Sequence, residues 1–274
     1  MKKFLSVILA VAMMLTMVVA FAGCSGSGKT EDTTGGDTTA AASSDVADIK
    51  AKGKLVIGVT IYEPMNYKDD AGQWTGFDTE YAQAVCDKLG VDAEFVVIDW
   101  DNKFLELEAK TIDCIWNGMT ITDEVTLNSS VTDAYVKNAQ VVVTTADVKA
   151  SYTTVAEMTE LTFAAEAGSA GAEALDDAGM TYTAVSDQAS ALMEVASGSA
   201  DACVIDLTMA NAMTGEGTSY ADLIQVEELN EEEYGIACRE DSDLTAEINK
   251  ITDELMADGT MDKLAEKYEL TLVK

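Results

Sequence analysis

The stretch that decides the fold is IDCIWNGMTITDE, residues 112–124. Its first five residues form a short apolar run with β-branched members, which is typical of a buried strand. Upstream, helical periodicity over residues 103–109 follows an apolar run over residues 93–98, so the order is strand, helix, strand. Alternation of this kind predicts an α/β fold with a parallel, doubly wound sheet.

The same alternation extends in both directions from this stretch. A strand over residues 54–60 and a helix over residues 77–89 precede it. After the apolar residues 141–143, a second α/β set is predicted, with strands at 161–165 and 202–205 and helices at 170–178 and 189–196. The acidic residues 227–233 are predicted to be a solvated connection, followed by a strand at 234–238 and helices at 244–256 and 261–268.

The N-terminal segment has the pattern of an export signal. Two lysines precede the apolar residues 4–22, whose length and basic start match a secretory signal rather than a membrane-spanning helix. Residues 20–24, AFAGC, resemble the lipobox at which bacterial lipoproteins are cleaved, so we expect a signal peptide over residues 1–23 and lipid attachment (palmitate) at Cys24. An ordinary signal peptide with an incidental cysteine is the alternative. Residues 24–48 are polar and lack periodicity, which predicts a flexible tether that holds one soluble body at the membrane.

Composition excludes several classes of function. The chain has 17 basic and 49 acidic residues and a net charge of −32, so nucleic acid and anionic lipid headgroups are poor partners. It contains no histidine, which removes the usual activated serine and cysteine nucleophiles and the commonest metal ligand. We therefore predict a protein that is not an enzyme, without catalytic residues, cofactor or metal.

Four further cysteines raise the question of disulfide bonds in an exported chain. Cys86, Cys114, Cys203 and Cys238 each lie in an apolar run, where cysteine behaves as a small core residue. Their spacing matches no CxxC metal or redox motif. Buried free thiols are the prediction.

From position 53 to position 270 the chain resembles the polar amino-acid-binding proteins of bacterial ABC importers, the family 3 extracellular solute-binding proteins. Several colinear stretches carry this resemblance: GKLVIG at 53–58, GQWTGFD at 72–78, GMTITDE at 118–124, GSAG at 168–171, DACVID at 201–206, YGIA at 234–237 and ADGT at 257–260. It implies a two-lobe, type II periplasmic-binding-protein fold with two crossover strands and a ligand cleft between the lobes. Lobe 1 would comprise residues 49–138 and 231–274, and lobe 2 residues 139–230.

The resemblance also implies a set of ligand-binding residues. Tyr62 and Trp100 match aromatic positions that pack on the ligand, and Gly118 and Thr120 match positions that bind its head group, with Asn117 beside them. In lobe 2, Ser169 and Ala170 open a helix whose N–H groups accept an anionic group. Asp206 matches the acid that pairs with the ligand ammonium, although it could instead cap the helix that follows. For Tyr62 and Trp100 the alternative is a place in the core.

One departure from the family pattern bears on the ligand. The family usually has an arginine after the GMTITDE stretch for the ligand carboxylate, and here the residue is Val125. Glu166 falls at a position that the family points at the ligand, so Glu166 and Asp206 would favour a cationic amino acid or an amine. In the alternative, Glu166 faces solvent, and Lys137 or helix dipoles suffice for an ordinary zwitterion.

The function implied is a monomeric, lipid-anchored receptor that captures a small polar solute, an amino acid or cationic amine, outside the cell membrane and passes it to the permease of an ABC importer. Two alternatives remain open from the sequence. One is a dehydratase-like enzyme on the same scaffold, and the other is a ligand-sensing module of a membrane receptor.

Overall fold

The computed structural model describes residues 44–152 and 154–274. The predicted signal peptide, Cys24 and most of the predicted tether lie outside these ranges. Within them, no helix combines the length and the apolar character that a bilayer crossing requires. The helices are α1 (Asp45–Lys52), α2 (Phe77–Leu89), α3 (Lys103–Glu108), α4 (Asp123–Asn128), α5 (Ala146–Lys149), α6 (Ala170–Asp177), α7 (Gln188–Ser197), α8 (Leu207–Met213), α9 (Asp243–Ala257) and α10 (Thr260–Tyr268).

Most strands belong to one mixed sheet with the order β4-β1-β5-β11-β7-β10-β8-β9. Strand β6 pairs with β11, and β2 and β3 form a separate hairpin. The strands are β1 (Lys54–Val59), β2 (Tyr67–Lys68), β3 (Trp74–Thr75), β4 (Asp92–Val97), β5 (Cys114–Thr120), β6 (Ser130–Val131), β7 (Val136–Thr145), β8 (Phe163–Glu166), β9 (Tyr182–Val185), β10 (Ala202–Asp206) and β11 (Leu223–Cys238).

The sheet consists of two parallel halves joined by two long antiparallel strands. Strands β4, β1 and β5 are parallel, as are β10, β8 and β9, and β7 and β11 pair with each other between them. This is the predicted α/β two-lobe fold, and β7 and β11 are its two crossover strands. The predicted lobe boundaries, 138/139 and 230/231, fall inside these strands and stay a prediction.

Local sequence signals set the ends of the helices near the site. Helix α2 ends at Gly90, whose φ of 76° suits a residue without a Cβ atom. Helix α6 begins after Ser169, whose hydroxyl accepts a hydrogen bond from Ala172 N. Helices α9 and α10 pack on α2, beside the first half of the sheet. The four cysteines are buried and free, as the sequence predicted.

Two predictions about polar segments were wrong. Helix α1 begins at Asp45, inside the residues assigned to the tether, because Ser44 caps it and the buried Asp45 carboxylate lies 3.1 Å from Arg239 Nε. Residues 227–233 are part of β11 and not a loose connection, because their backbone pairs with β7. Most of their side chains are exposed, as expected for acidic residues, but Glu232 turns inward.

Candidate ligand cleft

A cavity of about 420 Å³ lies where the strands of the two halves end. Parallel strands place their carboxyl ends at one edge, and ligands of α/β proteins bind outside that edge. Here β5 ends at Thr120, β8 at Glu166 and β10 at Asp206, and all three residues line the cavity. The walls touch each other: Lys103 Nζ donates a hydrogen bond of 2.9 Å to Gly168 O across the cleft.

Asp206 lies at the base of the cavity in a ring of amide donors. Its Oδ1 accepts hydrogen bonds from Gln140 Nε2 at 2.7 Å and Asn138 Nδ2 at 2.5 Å, and its Oδ2 accepts one from Gln188 Nε2. Burial raises the pKa of this carboxyl, and the amide donors oppose the shift. Although Asp206 stands at the N-cap position of α8, its side chain makes no capping bond. The capping alternative therefore does not describe this residue.

Glu166 is a buried carboxyl with unused hydrogen-bonding capacity. Its side chain is 3% exposed, and its Oε1 has no hydrogen-bond partner among the described residues. Burial raises its pKa well above the ordinary range, Asp206 and Asp187 add to the shift, and Lys103 opposes it. Since Glu166 lines the cavity, the alternative in which it faces solvent does not hold.

The two aromatic residues line the cavity and also belong to the hydrophobic core. Trp100 starts a short 3-10 turn and is 7% exposed. Tyr62 is 2% exposed, and its hydroxyl hydrogen-bonds to those of Tyr234 and Thr208. Because Thr208 follows β10, the Tyr62 hydroxyl links the two walls. Tyr62 and Trp100 therefore each belong to the core and also line the cavity, so the two alternatives for these residues do not exclude each other.

The residues at the end of β5 differ from expectation in how they use their polar groups. Asn117 lines the cavity, but its side chain is occupied: Oδ1 accepts from Thr60 N and Oγ1, and Nδ2 donates to Thr60 O and Asn66. An amide has two donors and two acceptor positions, and these bonds engage them with neighbouring residues. Ligand binding by the Asn117 amide stays a prediction.

Gly118 and Thr120 line the cavity too, but their donors are engaged. Gly118 N donates to Asp78 Oδ2 at 2.6 Å, and Thr120 Oγ1 donates to Glu232 Oε1 at 2.8 Å. Gly118 has a φ of 53°, and a Cβ atom there would lie 2.7 Å from the Tyr62 ring. Glycine is therefore required for Tyr62 to reach its place.

The first turn of α6 offers backbone donors to the cavity. Ser169 and Ala170 both line it, and Ser169 Oγ is used as the cap. The N–H groups of Ala170 and Gly171 have no acceptor in the described part of the chain. They can donate hydrogen bonds to a carboxylate, with the helix dipole adding to the attraction.

Val125, at the position of the family arginine, is 3% exposed and gives this wall an apolar surface. The chain's single arginine, Arg239, instead pairs with Asp45 and Asp113, which do not line the cavity. Six of the residues around the cavity are acidic and, among those described, only Lys103 is basic. The acidic residues are Asp101, Glu124, Glu166, Glu173, Asp176 and Asp206. The described residues include no cluster arranged to ligate a metal ion.

Lys103 and Glu232 are among the polar residues at and near the cleft that sequence reasoning missed. Lys103 follows Trp100 by three positions, and helical spacing alone places such a pair on one face. Glu232 precedes the buried Tyr234 by two positions, and strand alternation places both on one face. The helical spacing could have identified Lys103, and the strand alternation could have identified Glu232.

Comparison with known proteins agrees with this geometry. Residues 55–271 match the family described as bacterial extracellular solute-binding proteins, family 3. The L-cystine-binding protein TcyJ of Escherichia coli (strain K12) is 26% identical over 225 residues, which is 80% of this chain and 84% of TcyJ. The arginine-binding extracellular protein ArtP of Bacillus subtilis (strain 168) is 27% identical over 237 residues, which is 84% of this chain and 91% of ArtP.

A solved structure, the ancestral amino acid-binding protein AncCDT-1, a precursor of cyclohexadienyl dehydratase, superposes with a TM-score of 0.75 at 30% identity and covers 82% of this chain and 99% of its own. The matched segment contains all of the sheet except Lys54 and all the residues that line the cavity. The chain therefore belongs to family 3 of the bacterial extracellular solute-binding proteins.

Proposed function

We propose that this protein captures an amino acid with a positively charged side chain outside the cytoplasmic membrane and presents it to an ABC importer. The observation that carries this proposal is the buried Glu166 carboxyl, whose Oε1 lacks a partner in the described structure and lines the cavity. A buried acceptor without a donor costs free energy, and a ligand ammonium or guanidinium would remove that cost.

The charge of the whole cavity supports the same ligand class. Asp206, at the base, is placed for one ammonium group, and Glu166 is placed for a second cationic group. An apolar side chain would leave the Glu166 oxygen unpaired, and an acidic side chain would repel it. ArtP, by its name, binds arginine, and TcyJ binds cystine, which also carries two ammonium groups. An amine held between Tyr62 and Trp100 is the alternative ligand of the same charge.

Calorimetric titration of residues 44–274 tests this proposal with L-arginine, L-ornithine, L-lysine, L-cystine, L-glutamine and L-glutamate. We expect the cationic ligands or cystine to bind most tightly, and Glu166→Gln to weaken them by about tenfold or more, the scale of a lost charged hydrogen bond. Glu173→Gln is the matched control, because Glu173 is exposed at the rim and loses the same charge. Tight binding of glutamine or glutamate, unchanged by Glu166→Gln, would contradict the cationic ligand.

Membrane attachment through Cys24 is part of the proposal and rests on the sequence of residues 1–24. Two acyl chains on this cysteine would hold the protein at the outer face of the membrane. Labelling with radioactive palmitate in cells should mark the wild-type protein and not Cys24→Ser. Equal labelling of both would remove the anchor from the proposal and leave ligand binding intact.

A dehydratase-like activity is the second candidate, and the AncCDT-1 likeness favours it, since that protein is described as a precursor of an enzyme. The raised pKa of Glu166 would suit a carboxyl that gives or takes a proton. Product formation from a carboxylic substrate, lost in Glu166→Gln, would establish it. No turnover, together with reversible binding of an amino acid, would exclude it.

A further inference from the structure

Among the described residues, the cavity is lined by one basic side chain, and its environment is unusual for a lysine. Lys103, the first residue of α3, is 3% exposed. Its Nζ lies 5.3 Å from the centroid of the Trp100 ring and 4.9 Å from that of the Phe104 ring. Lysine is seldom this buried without a carboxylate partner.

Lys103 has no such partner in the described structure. It forms no salt bridge there, although six acidic residues surround the same cavity. Its single hydrogen bond is the one to Gly168 O. An ammonium group has three donors, so two remain unused on a buried cation that lines the cavity. Burial lowers the pKa of Lys103, while Glu124, Glu166 and other nearby acids oppose that shift and favour the charged form.

The Lys103 ammonium lies beside the start of α6, whose free N–H groups can donate to an anion. Gly168, which accepts the hydrogen bond from Lys103, comes two residues before Ala170. The N–H group of Ala170 has no acceptor in the described residues. Lys103 Nζ and the first turn of α6 therefore face the same part of the cavity from opposite walls. Val125, on the lobe 1 side, is apolar and supplies no charge.

We infer that Lys103 binds the carboxylate of the ligand, together with the Ala170 N–H group, and thereby makes the site select amino acids over the corresponding amines. This inference rests on the proposed function, because an amino acid brings the carboxylate. The ligand then meets opposite charges at two places: its anionic group at Lys103 and α6, and its cationic groups at Asp206 and Glu166. Without Lys103 the cavity would favour a decarboxylated polyamine.

Matched ligand pairs test the inference. L-arginine and agmatine differ by the carboxylate, as do L-ornithine and putrescine, and L-cystine and cystamine with two carboxylates. In the wild type we expect the carboxylated member of a bound pair to bind at least about tenfold more tightly, since one good ionic hydrogen bond is of that size. Equal or tighter binding of the amine by the wild type would overturn the inference without the use of any variant.

Variants at two lysines then locate the effect. Lys103→Met should weaken the carboxylated ligand about ten- to a hundredfold and leave the amine unchanged or tighter, because a buried cation that repels it is gone. Lys103→Arg should retain the preference. Lys137→Met is the matched control, because Lys137 is exposed and lies outside this cavity.

The contact of Lys103 with Gly168 provides a competing explanation, in which the lysine only holds the walls together. In that case Lys103→Met weakens acid and amine equally, and this result would overturn the inference, as would an effect of Lys137→Met on the preference. If the wild type binds none of the six compounds, the proposed function fails first and the inference fails with it. If an amino acid binds and Lys103→Met leaves it unaffected, only the inference fails.

Discussion

Asp78 and Gly118 are joined by a hydrogen bond of 2.6 Å, from the backbone N–H of Gly118 to the buried Oδ2 of Asp78. The same oxygen accepts from the Tyr135 hydroxyl at 2.9 Å. Helix α2 is thereby tied to β5, the strand that forms one wall of the cavity. Asp78, which lies outside the cavity, thus fixes the backbone position of Gly118, which lines it.

The burial of Asp78 makes stability depend on pH. Burial raises the pKa of Asp78 from its ordinary value of 3.8 to about 7. Between these two values the folded protein keeps a proton that the unfolded chain releases, so stability falls as pH rises, by at most about 1.4 kcal/mol per pH unit. We expect urea unfolding to show this fall and Asp78→Asn to reduce it.

Removing the carboxyl group altogether has a different result. Asp78→Ala leaves the Gly118 N–H and the Tyr135 hydroxyl buried and unpaired, which costs about 2–5 kcal/mol of unfolding free energy. Asp70→Ala is the control, because that carboxyl is exposed. Equal slopes of stability against pH in the wild type and Asp78→Asn would show that Asp78 does not hold the proton.

Gly118 itself supports a second prediction. Gly118→Ala adds a Cβ atom 2.7 Å from the Tyr62 ring at a φ of 53°. We expect a loss of about 2–4 kcal/mol in stability, the sum of left-handed strain and overpacking, together with weaker ligand binding. Gly72→Ala is a matched control, since Gly72 has a φ of 75° and open space around it. If urea unfolding shows equal losses for the two variants, the contact with Tyr62 does not matter.

The strongest periodic segments were predicted correctly from sequence because tertiary packing agrees with local preference. The helix predicted at residues 77–89 is α2, and the strand predicted at residues 54–60 is β1 within one residue. Residues 227–233 were assigned wrongly because a run of acids indicates exposure of the side chains and not the state of the backbone. Strand pairing with β7 settled the backbone, and that partner is distant in sequence.

The site residues likewise divide into those that the sequence predicts and those that it does not. The family resemblance pointed to Asp206 and Glu166, and both end strands of parallel pairs and line the cavity. Sequence cannot show that Asn117 is saturated by Thr60 and Asn66, since both partners come from a loop whose path depends on the fold. Lys103 was missed because a lysine in a helical pattern is usually solvated, and only the opposite wall makes it buried.

The third prediction concerns protons released when a ligand binds. Asp206 and Glu232 share a donor, Gln140 Nε2, which lies 2.7 Å from an oxygen of each. Burial and the neighbouring Asp206 raise the pKa of Glu232 to about 8, so the pair holds a proton at pH 7. A ligand ammonium beside Asp206 lowers the pKa values of the pair and favours release of that proton.

Calorimetric titrations at pH 7 in phosphate and in Tris measure this release, because the two buffers differ in ionisation enthalpy. We expect a buffer-dependent binding enthalpy in the wild type that shrinks in Glu232→Gln. Glu228→Gln, an exposed residue of the same strand, should leave it unchanged. A binding enthalpy that is identical in both buffers would show that the pair releases no proton when the ligand binds.

The last prediction concerns the hydroxyl of Tyr62, which hydrogen-bonds Thr208 on the opposite wall and Tyr234 on β11. Tyr62→Phe keeps the ring against the cavity but removes the hydroxyl that hydrogen-bonds Thr208. Because the bond exists only when the walls meet, its loss destabilises the closed form, and every ligand that binds by closure should weaken by a similar factor of about five- to tenfold. This pattern differs from that of Lys103→Met, which should distinguish arginine from agmatine. Tyr81→Phe is the control, since the Tyr81 hydroxyl bonds to Thr252 on α9, away from the cleft. Measured dissociation constants for both ligands decide the matter: if Tyr62→Phe leaves both unchanged, or Tyr81→Phe raises both equally, the hydroxyl stabilises the fold and not the closure of the cleft.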